Sequence, residues 1–123
     1  MTVDRSLAAF AALNGALAVA LGAFAAHGAG PQIKSLLTTG AHYQMTHAVL
    51  ALICSVWPAR GKLIAVAGWL AAAGGMTFSL ALSAIALAGV SAMGAVAPIG
   101  GFLMSAGWLL VAIAALRTQP PLA

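Results

Sequence analysis

Residues 63–88 read LIAVAGWLAAAGGMTFSLALSAIALA, a run without one charged side chain. A helix needs about 20 apolar residues to cross a bilayer, so this run predicts a transmembrane helix. Three further apolar stretches lie at about 6–26, 41–57 and 92–116. We expect helices in all four, because strands of a membrane barrel alternate polar and apolar residues over short stretches. The predicted fold class is therefore all-α and polytopic, a four-transmembrane-helix bundle in a single membrane domain, residues 1–123.

The composition of the whole chain agrees with a bilayer environment. Hydrophobic residues make up 63% of the 123 residues and charged residues 5%, whereas soluble domains are about a quarter charged. Five scattered bases do not form the basic surface that nucleic acid requires, so we expect membrane lipids and no nucleic acid as partners. The first stretch resembles a cleavable signal peptide, but three spans follow it and we expect it to be retained.

The few charged residues predict the orientation of the chain, because Lys and Arg concentrate in cytoplasmic loops. With four spans, most of the basic residues share one side of the membrane with both termini. These residues are Arg5, Arg60, Lys62 and Arg117, and Lys34 lies on the opposite side. The sequence therefore predicts that both termini are cytoplasmic.

The segment between the first two spans carries apolar residues at helical spacing. Ile33, Leu36 and Leu37 recur in this way, with polar residues on the other faces. This pattern predicts a short interfacial helix that lies in the headgroup region between helices 1 and 2. An ordinary polar loop is the alternative.

Small residues recur every fourth position in three of the predicted helices, which places them on one helix face. Such ridges let helix backbones approach closely, and close packing is what holds helices together in lipid. The ridges are Ala18, Gly22 and Ala26; Ala71, Gly75, Ser79 and Ser83; and Ala97, Gly101 and Ser105. They predict a compact bundle, or alternatively a contact with another copy of the chain.

A small set of polar residues interrupts the apolar stretches. Asn14 lies near the middle of helix 1 and should find a hydrogen-bond partner across the bundle; a role in a polar pathway is the alternative. His27 ends helix 1, and His47 lies near the start of helix 2 on one face with Tyr43 and Gln44. All the histidines are predicted on the side opposite the basic loops, where this set would hydrogen-bond helix 1 to helix 2.

The same cluster leaves two other interpretations open. A metal site would use His27, His47 and His42, since imidazole is a common ligand of zinc and copper. Histidine also titrates near neutral pH, which suits a proton-responsive or small-solute site. The side chains include one carboxylate and show no paired nucleophile and base, so we expect no catalytic residue, no metal and no cofactor.

Several motifs resemble those of the YgdD-like family of small four-helix bacterial membrane proteins, which has mitochondrial-associated eukaryotic relatives. Residues 22–28, GAFAAHG, resemble the family motif GAFGAHG, and residues 43–48, YQMTHA, resemble YQMxHA. Residues 94–101, GAVAPIGG, resemble GAITPIGG, and residues 107–109 match GWL. Residues 78–83, FSLALS, depart from the family's FSGSLY, so any role of that stretch is in question.

The resemblance implies four transmembrane helices and a place in the bacterial inner membrane, but no activity. It adds Pro98 to the candidate polar site. The candidates are then Asn14, His27, Tyr43, Gln44, His47 and Pro98. Within helix 4, Pro98 would free a backbone carbonyl near Gly94, towards the histidines.

These observations favour a non-enzymatic inner-membrane protein of unknown biochemical activity, an accessory or scaffold protein of a larger membrane complex or a homo-oligomer. The alternative is a small oligomeric channel or transporter with a polar site around His27, Gln44 and His47. A membrane enzyme ranks third.

Overall fold

The computed structural model describes residues 2–58 and 61–117, and within them the chain forms four α-helices and one 3-10 turn. Arg60, one of the basic residues that predict the orientation, and the Pro120–Pro121 pair that follows the fourth apolar stretch lie outside these residues. The helices are α1 (Arg5–Gly28), α2 (Pro31–Ser55), α3 (Lys62–Ala88) and α4 (Ala97–Leu116), with the 3-10 turn at Ser91–Ala95 before α4.

Successive helices pack against each other along the chain. α1 packs on α2, α2 on α3 and α3 on α4, with a smaller contact between α1 and α3. The backbone N–H of Asp4 donates to the carbonyl of Ser55 across 2.9 Å, which joins the start of α1 to the end of α2. The two central helices are therefore α2 and α3, and the core lies mainly between them and α1.

The second helix differs from the prediction at both ends, because α2 is one helix of 25 residues from Pro31 to Ser55. Gly30 is extended, and Pro31 follows it in the first turn, where a missing N–H costs nothing. The buried face then continues without a break from Leu37 through Gly40 to Gln44. A separate interfacial helix between helices 1 and 2 was therefore a wrong prediction.

Within residues 2–58 and 61–117, three segments are long and apolar enough to cross a membrane: α1, α3 and residues Ser91–Leu116. α2 is comparable in length but carries polar residues along much of its course, such as Thr39, His42 and Thr46. Length and apolarity together thus support three membrane spans.

Glycines bring the backbones of α3 and α4 into direct contact. A Cβ built on Gly100 would lie 2.7 Å from the carbonyl oxygen of Gly74, and one on Gly107 would lie 3.0 Å from that of Ala67. The predicted ridge on helix 4 has the wrong register, since Gly101 has no atom within 4 Å of such a Cβ. The backbones of α3 and α4 come closest at Gly100 and Gly107, which lie on the buried face of α4 and have no side chains.

The other two ridges agree better with the structure. Ala71, Gly75 and Ser79 are buried on α3, as predicted. A Cβ on Gly75 would lie 3.3 Å from the Cα of Gln44, so this ridge faces α2. On α1, Ala18 is buried, whereas Ala26 is exposed and its neighbour Ala25 is buried instead.

Candidate functional site

A pair of side-chain amides links α1 to α2 near the middle of the two helices. Gln44 Nε2 donates to Asn14 Oδ1 at 2.9 Å, and Asn14 Nδ2 donates to the carbonyl of Phe10 at 3.1 Å. Both residues have no exposed surface. The predicted partner of Asn14 across the bundle is thus confirmed, and it is Gln44.

Two buried polar atoms in the described part of the chain have no hydrogen-bond partner: Gln44 Oε1 and Ser79 Oγ. They belong to adjacent turns of the α2–α3 interface, where Gly40 faces Ser79 and Gly75 faces Gln44. Side chains on a helix lean towards its N-terminus, so the Gln44 amide points towards the level of Gly40 and Ser79. Asn14, Gln44 and Ser79 are thus buried polar residues on three successive helices, and the first two are hydrogen-bonded to each other.

A second polar link joins α2 to α4 through the imidazole of His47, which is 5% exposed. His47 Nδ1 lies 2.6 Å from the carbonyl oxygen of Tyr43. Because a carbonyl only accepts hydrogen bonds, Nδ1 carries the proton. His47 Nε2 then accepts from Trp108 Nε1 at 3.0 Å, so both ring nitrogens are used and the imidazole is neutral.

This assignment can be checked by ¹⁵N NMR of imidazole-labelled protein in bilayers. We expect His47 to show a protonated Nδ1 and an unprotonated Nε2. Trp108→Phe removes the indole donor and should shift the Nε2 signal, while Nδ1 keeps its bond to Tyr43. A protonated Nε2 in the unmodified protein would contradict the assignment.

Aromatic rings surround the His47–Trp108 bridge. Tyr43 packs edge-to-face on Phe78 at 5.1 Å between ring centroids, and its ring lies nearly parallel to that of His47 at 6.3 Å. Beside these rings is a cleft of about 350 Å³, lined also by Gly101, Met104, Ser105 and Trp108. An adjoining cleft of about 410 Å³ reaches His42 and Thr46. The clefts open on the outside of the bundle, because Tyr43 and Trp108 are about half exposed.

The structure does not bring His27 into this cluster. His27 is exposed in the last turn of α1, and His47 lies 16 residues beyond Pro31, about 24 Å along α2 at 1.5 Å per residue. The predicted position of His42 and His47 near the start of helix 2 was wrong, because α2 begins ten residues earlier than expected. His47 is instead nearer Ser55, at the end of the bundle that carries most of the basic residues.

Pro98 also has a different place from the predicted one. It lies in the first turn of α4, which begins at Ala97 after the 3-10 turn. A proline there removes an N–H that has no partner within the helix in any case. Pro98 therefore starts α4 and frees no carbonyl inside it, so the predicted link from Gly94 to the histidines is not present.

Three residues of the site were missing from the sequence prediction or had another role in it. In the sequence, Trp108 belongs to the GWL motif and is 61 residues from His47. Ser79 fits a packing ridge, and the carbonyl of Phe10 carries no sequence signal. The helical spacing of Met104 and Trp108, both of which line the cleft, was the one available hint.

No three His, Cys, Asp or Glu side chains between residues 2 and 58 or 61 and 117 come together as a metal site. The arrangement pairs the Asn14 and Gln44 amides, and the His47 imidazole and Trp108 indole, inside apolar surroundings. Buried polar groups without partners are costly, so the amide pair and the imidazole bridge stabilise one arrangement of α1, α2 and α4.

The chain is similar in sequence to proteins that are named as membrane proteins. A family described as "Protein of unknown function (DUF423)" matches residues 21–101. The chain is 35% identical to "UPF0382 membrane protein YwdK" of Bacillus subtilis (strain 168), over 86% of this chain and 92% of the relative. It is 37% identical to a "UPF0382 membrane protein" of Staphylococcus epidermidis (strain ATCC 12228), over 86% of this chain and 91% of the relative. No solved structure matches the chain.

Proposed function

The chain belongs to the DUF423 family of unknown function, and its relatives are named UPF0382 membrane proteins. From that premise we propose that it is a non-enzymatic accessory or scaffold protein of the bacterial inner membrane. In this proposal all four helices cross the bilayer as one bundle, and both termini are cytoplasmic. The motif resemblance also supports a closer kinship with the YgdD-like proteins.

The packing of α2 supports its role as the fourth span. It lies between α1 and α3, and the three helices run alternately up and down, since Asp4 meets Ser55 and Gly40 and Gln44 meet Ser79 and Gly75. At 25 residues it is about 38 Å long, enough to cross a hydrocarbon core of about 30 Å. A helix packed lengthwise between two membrane spans shares their surroundings. In such a bundle Arg5, Lys62 and Arg117 lie at the same membrane surface. Because basic residues concentrate on the cytoplasmic side, this supports cytoplasmic termini.

The observation that carries the accessory role is the sealed interior. Asn14 and Gln44 pair with each other and have no exposed surface, and neither lines the clefts near His47. A conducting path needs polar groups that water or a solute can reach. The polar residues inside the bundle therefore suit a fixed scaffold better than a transport route within one copy.

The proposal predicts association without conduction. After solubilisation in a mild detergent at native abundance, we expect the protein to migrate in native gels as an assembly larger than one chain. Purified protein in liposomes should pass no more ions or small polar solutes than protein-free liposomes do. Migration as one chain would contradict the proposal, and so would a flux that Gln44→Leu abolishes.

One observation favours a small oligomeric channel as the second candidate. The outward face of α2 carries Thr39, His42 and Thr46, all exposed. Several copies arranged around an axis could present these side chains to water. The channel expected from the sequence, around His27, Gln44 and His47, has less support, because these residues do not lie along one accessible path.

A further inference from the structure

We propose that the outward face of α2 is a contact surface for a second copy of this chain. The inference deepens the proposed function and rests on it, because it requires α2 to lie in the bilayer. The polar face of α2 consists of Ser35, Thr39, His42 and Thr46, all exposed. Their spacing of four, three and four residues places them in one stripe along the helix.

This stripe lies at a depth where lipid is the alternative neighbour. Ser35 is four residues from Pro31, about 6 Å along the helix, and Thr46 is nine residues from Ser55, about 14 Å. The stripe therefore runs from near one membrane surface towards the middle of the bilayer. Lipid tails offer no hydrogen bonds, so polar side chains that face them are costly and require another partner.

The outward faces of the other helices are mainly apolar by contrast, although Ser105 of α4 is exposed. Leu13 on α1 is 67% exposed, and Phe102 and Leu109 on α4 are 76% and 65% exposed. These faces suit lipid directly. Thr39 Oγ1 donates to the carbonyl of Ser35 at 2.9 Å, whereas the side chains of His42 and Thr46 have no hydrogen bond to the rest of residues 2–58 and 61–117. Among residues 2–58 and 61–117, a continuous exposed polar stripe is thus specific to α2, and two of its side chains still need partners.

A second copy supplies those partners because the stripe is self-complementary. Serine and threonine hydroxyls both donate and accept, and so does a neutral imidazole. Two copies inserted in the same orientation place their α2 helices parallel about a two-fold axis along the membrane normal, where each residue near the axis meets its own counterpart. Each such pair on the stripe can form a hydrogen bond.

The remaining features of α2 agree with this arrangement. Lys34 only donates hydrogen bonds, but it lies about 100° around the helix from Ser35 and so is away from the axis. Ser35 and Thr39 are small enough for close helix contact. Towards the other end the same face continues with Val49 and Ile53, both about half exposed. The contact would be polar in one half of the bilayer and apolar in the other.

Disulfide cross-linking in native membranes tests the second copy. The buried Cys54 is first changed to Ala, and single cysteines are then introduced as Thr39→Cys or Thr46→Cys. Leu13→Cys and Phe102→Cys serve as matched controls on the apolar faces. Disulfides form only when Cα atoms come within about 7 Å. With copper phenanthroline as oxidant, we expect dimers at positions 39 and 46 in several-fold greater yield than at 13 and 102.

A membrane-impermeant maleimide applied to the same variants separates this inference from the proposed function. We expect no labelling at position 46 in intact or opened membranes. Strong labelling there would place α2 in water and overturn both proposals. Three results would overturn the contact with a second copy and leave the accessory role standing. They are neither cross-link nor label, equal cross-linking at the control positions, and a cross-link to a different protein.

A variant that does not need a new cysteine checks the same surface. Thr46→Leu in the otherwise unchanged chain should lower the dimer fraction several-fold, measured by energy transfer between labelled copies in liposomes. Leu13→Thr is the matched control and should leave the dimer fraction unchanged. An unchanged dimer fraction in Thr46→Leu, with the helix content retained, would count against the proposal.

Discussion

Replacing Gly100 with alanine is expected to force α3 and α4 apart, whereas the same replacement at Gly101 should leave the fold unchanged. A Cβ on Gly100 would lie 2.7 Å from the carbonyl oxygen of Gly74 and 2.7 Å from the backbone nitrogen of Phe78. Both are backbone atoms of a helix, which cannot turn aside as a flexible side chain can. Gly101 has open space at the equivalent point, so the two variants differ only in what the new methyl group meets.

We expect Gly100→Ala to lower the free energy of unfolding by about 1–3 kcal/mol, the usual range for overpacking. Gly101→Ala should stay within about 0.5 kcal/mol of the unmodified protein. Unfolding in mixed micelles with increasing dodecyl sulfate, followed by circular dichroism, measures both. Equal stabilities for the two variants would show that α3 and α4 do not meet at Gly100.

Removing one amide of the buried pair should also destabilise the protein strongly. Asn14→Leu leaves Gln44 Nε2 without its acceptor. Because Gln44 Oε1 has no partner either, the whole Gln44 amide would then be buried and unpaired. A buried group left unpaired costs about 1–3 kcal/mol, whereas replacing both partners by apolar groups of similar shape can be nearly neutral. We therefore expect Asn14→Leu and Gln44→Leu to be less stable than the double variant.

A double-mutant cycle on unfolding free energies measures this coupling. Gln32→Leu, at an exposed position near the start of α2, is the control for an amide loss outside the pair. The control should change stability by less than about 0.5 kcal/mol. Additive losses in the double variant would mean that Asn14 and Gln44 contribute independently, against the hydrogen bond between them.

Much of the architecture could be predicted because charge is so scarce. The runs at residues 63–88 and 92–116 are apolar on every face, and their helices follow from length alone. α2 was harder to place. Its polar residues lie on both the buried and the outward face, so hydropathy suggested a boundary near Ala41 where the backbone has none. The continuous buried face from Leu37 to Gln44 carried the correct signal at helical spacing.

The candidate site could be predicted only in part. That a buried asparagine needs a partner follows from elementary energetics, and this was sufficient for Asn14. Which residue meets it depends on how far one helix slides along the next. For Asn14 and Gln44 this is the register of α1 on α2, where Gly22 faces Ala41, and a glycine does not name its neighbour in the sequence. The bridge from His47 to Trp108 depends instead on the registers of α2 on α3 and of α3 on α4, where Gly75 meets Gln44 and Gly100 meets Gly74.

The hydrogen bond between Asp4 and Ser55 has a consequence for how the chain is made. Synthesis completes α1 and α2 first, so this bond and the Asn14–Gln44 pair can close a hairpin before α3 exists. In that hairpin Gly40 and His47 still lack the α3 and α4 surfaces that cover them, and the donor on Trp108 is yet to be translated. The bundle would then form in two stages. First α1 and α2 are joined by the Asp4–Ser55 bond at one end and by the Asn14–Gln44 pair in the middle. Then α3 and α4 cover the side of α2 that carries Gly40 and His47.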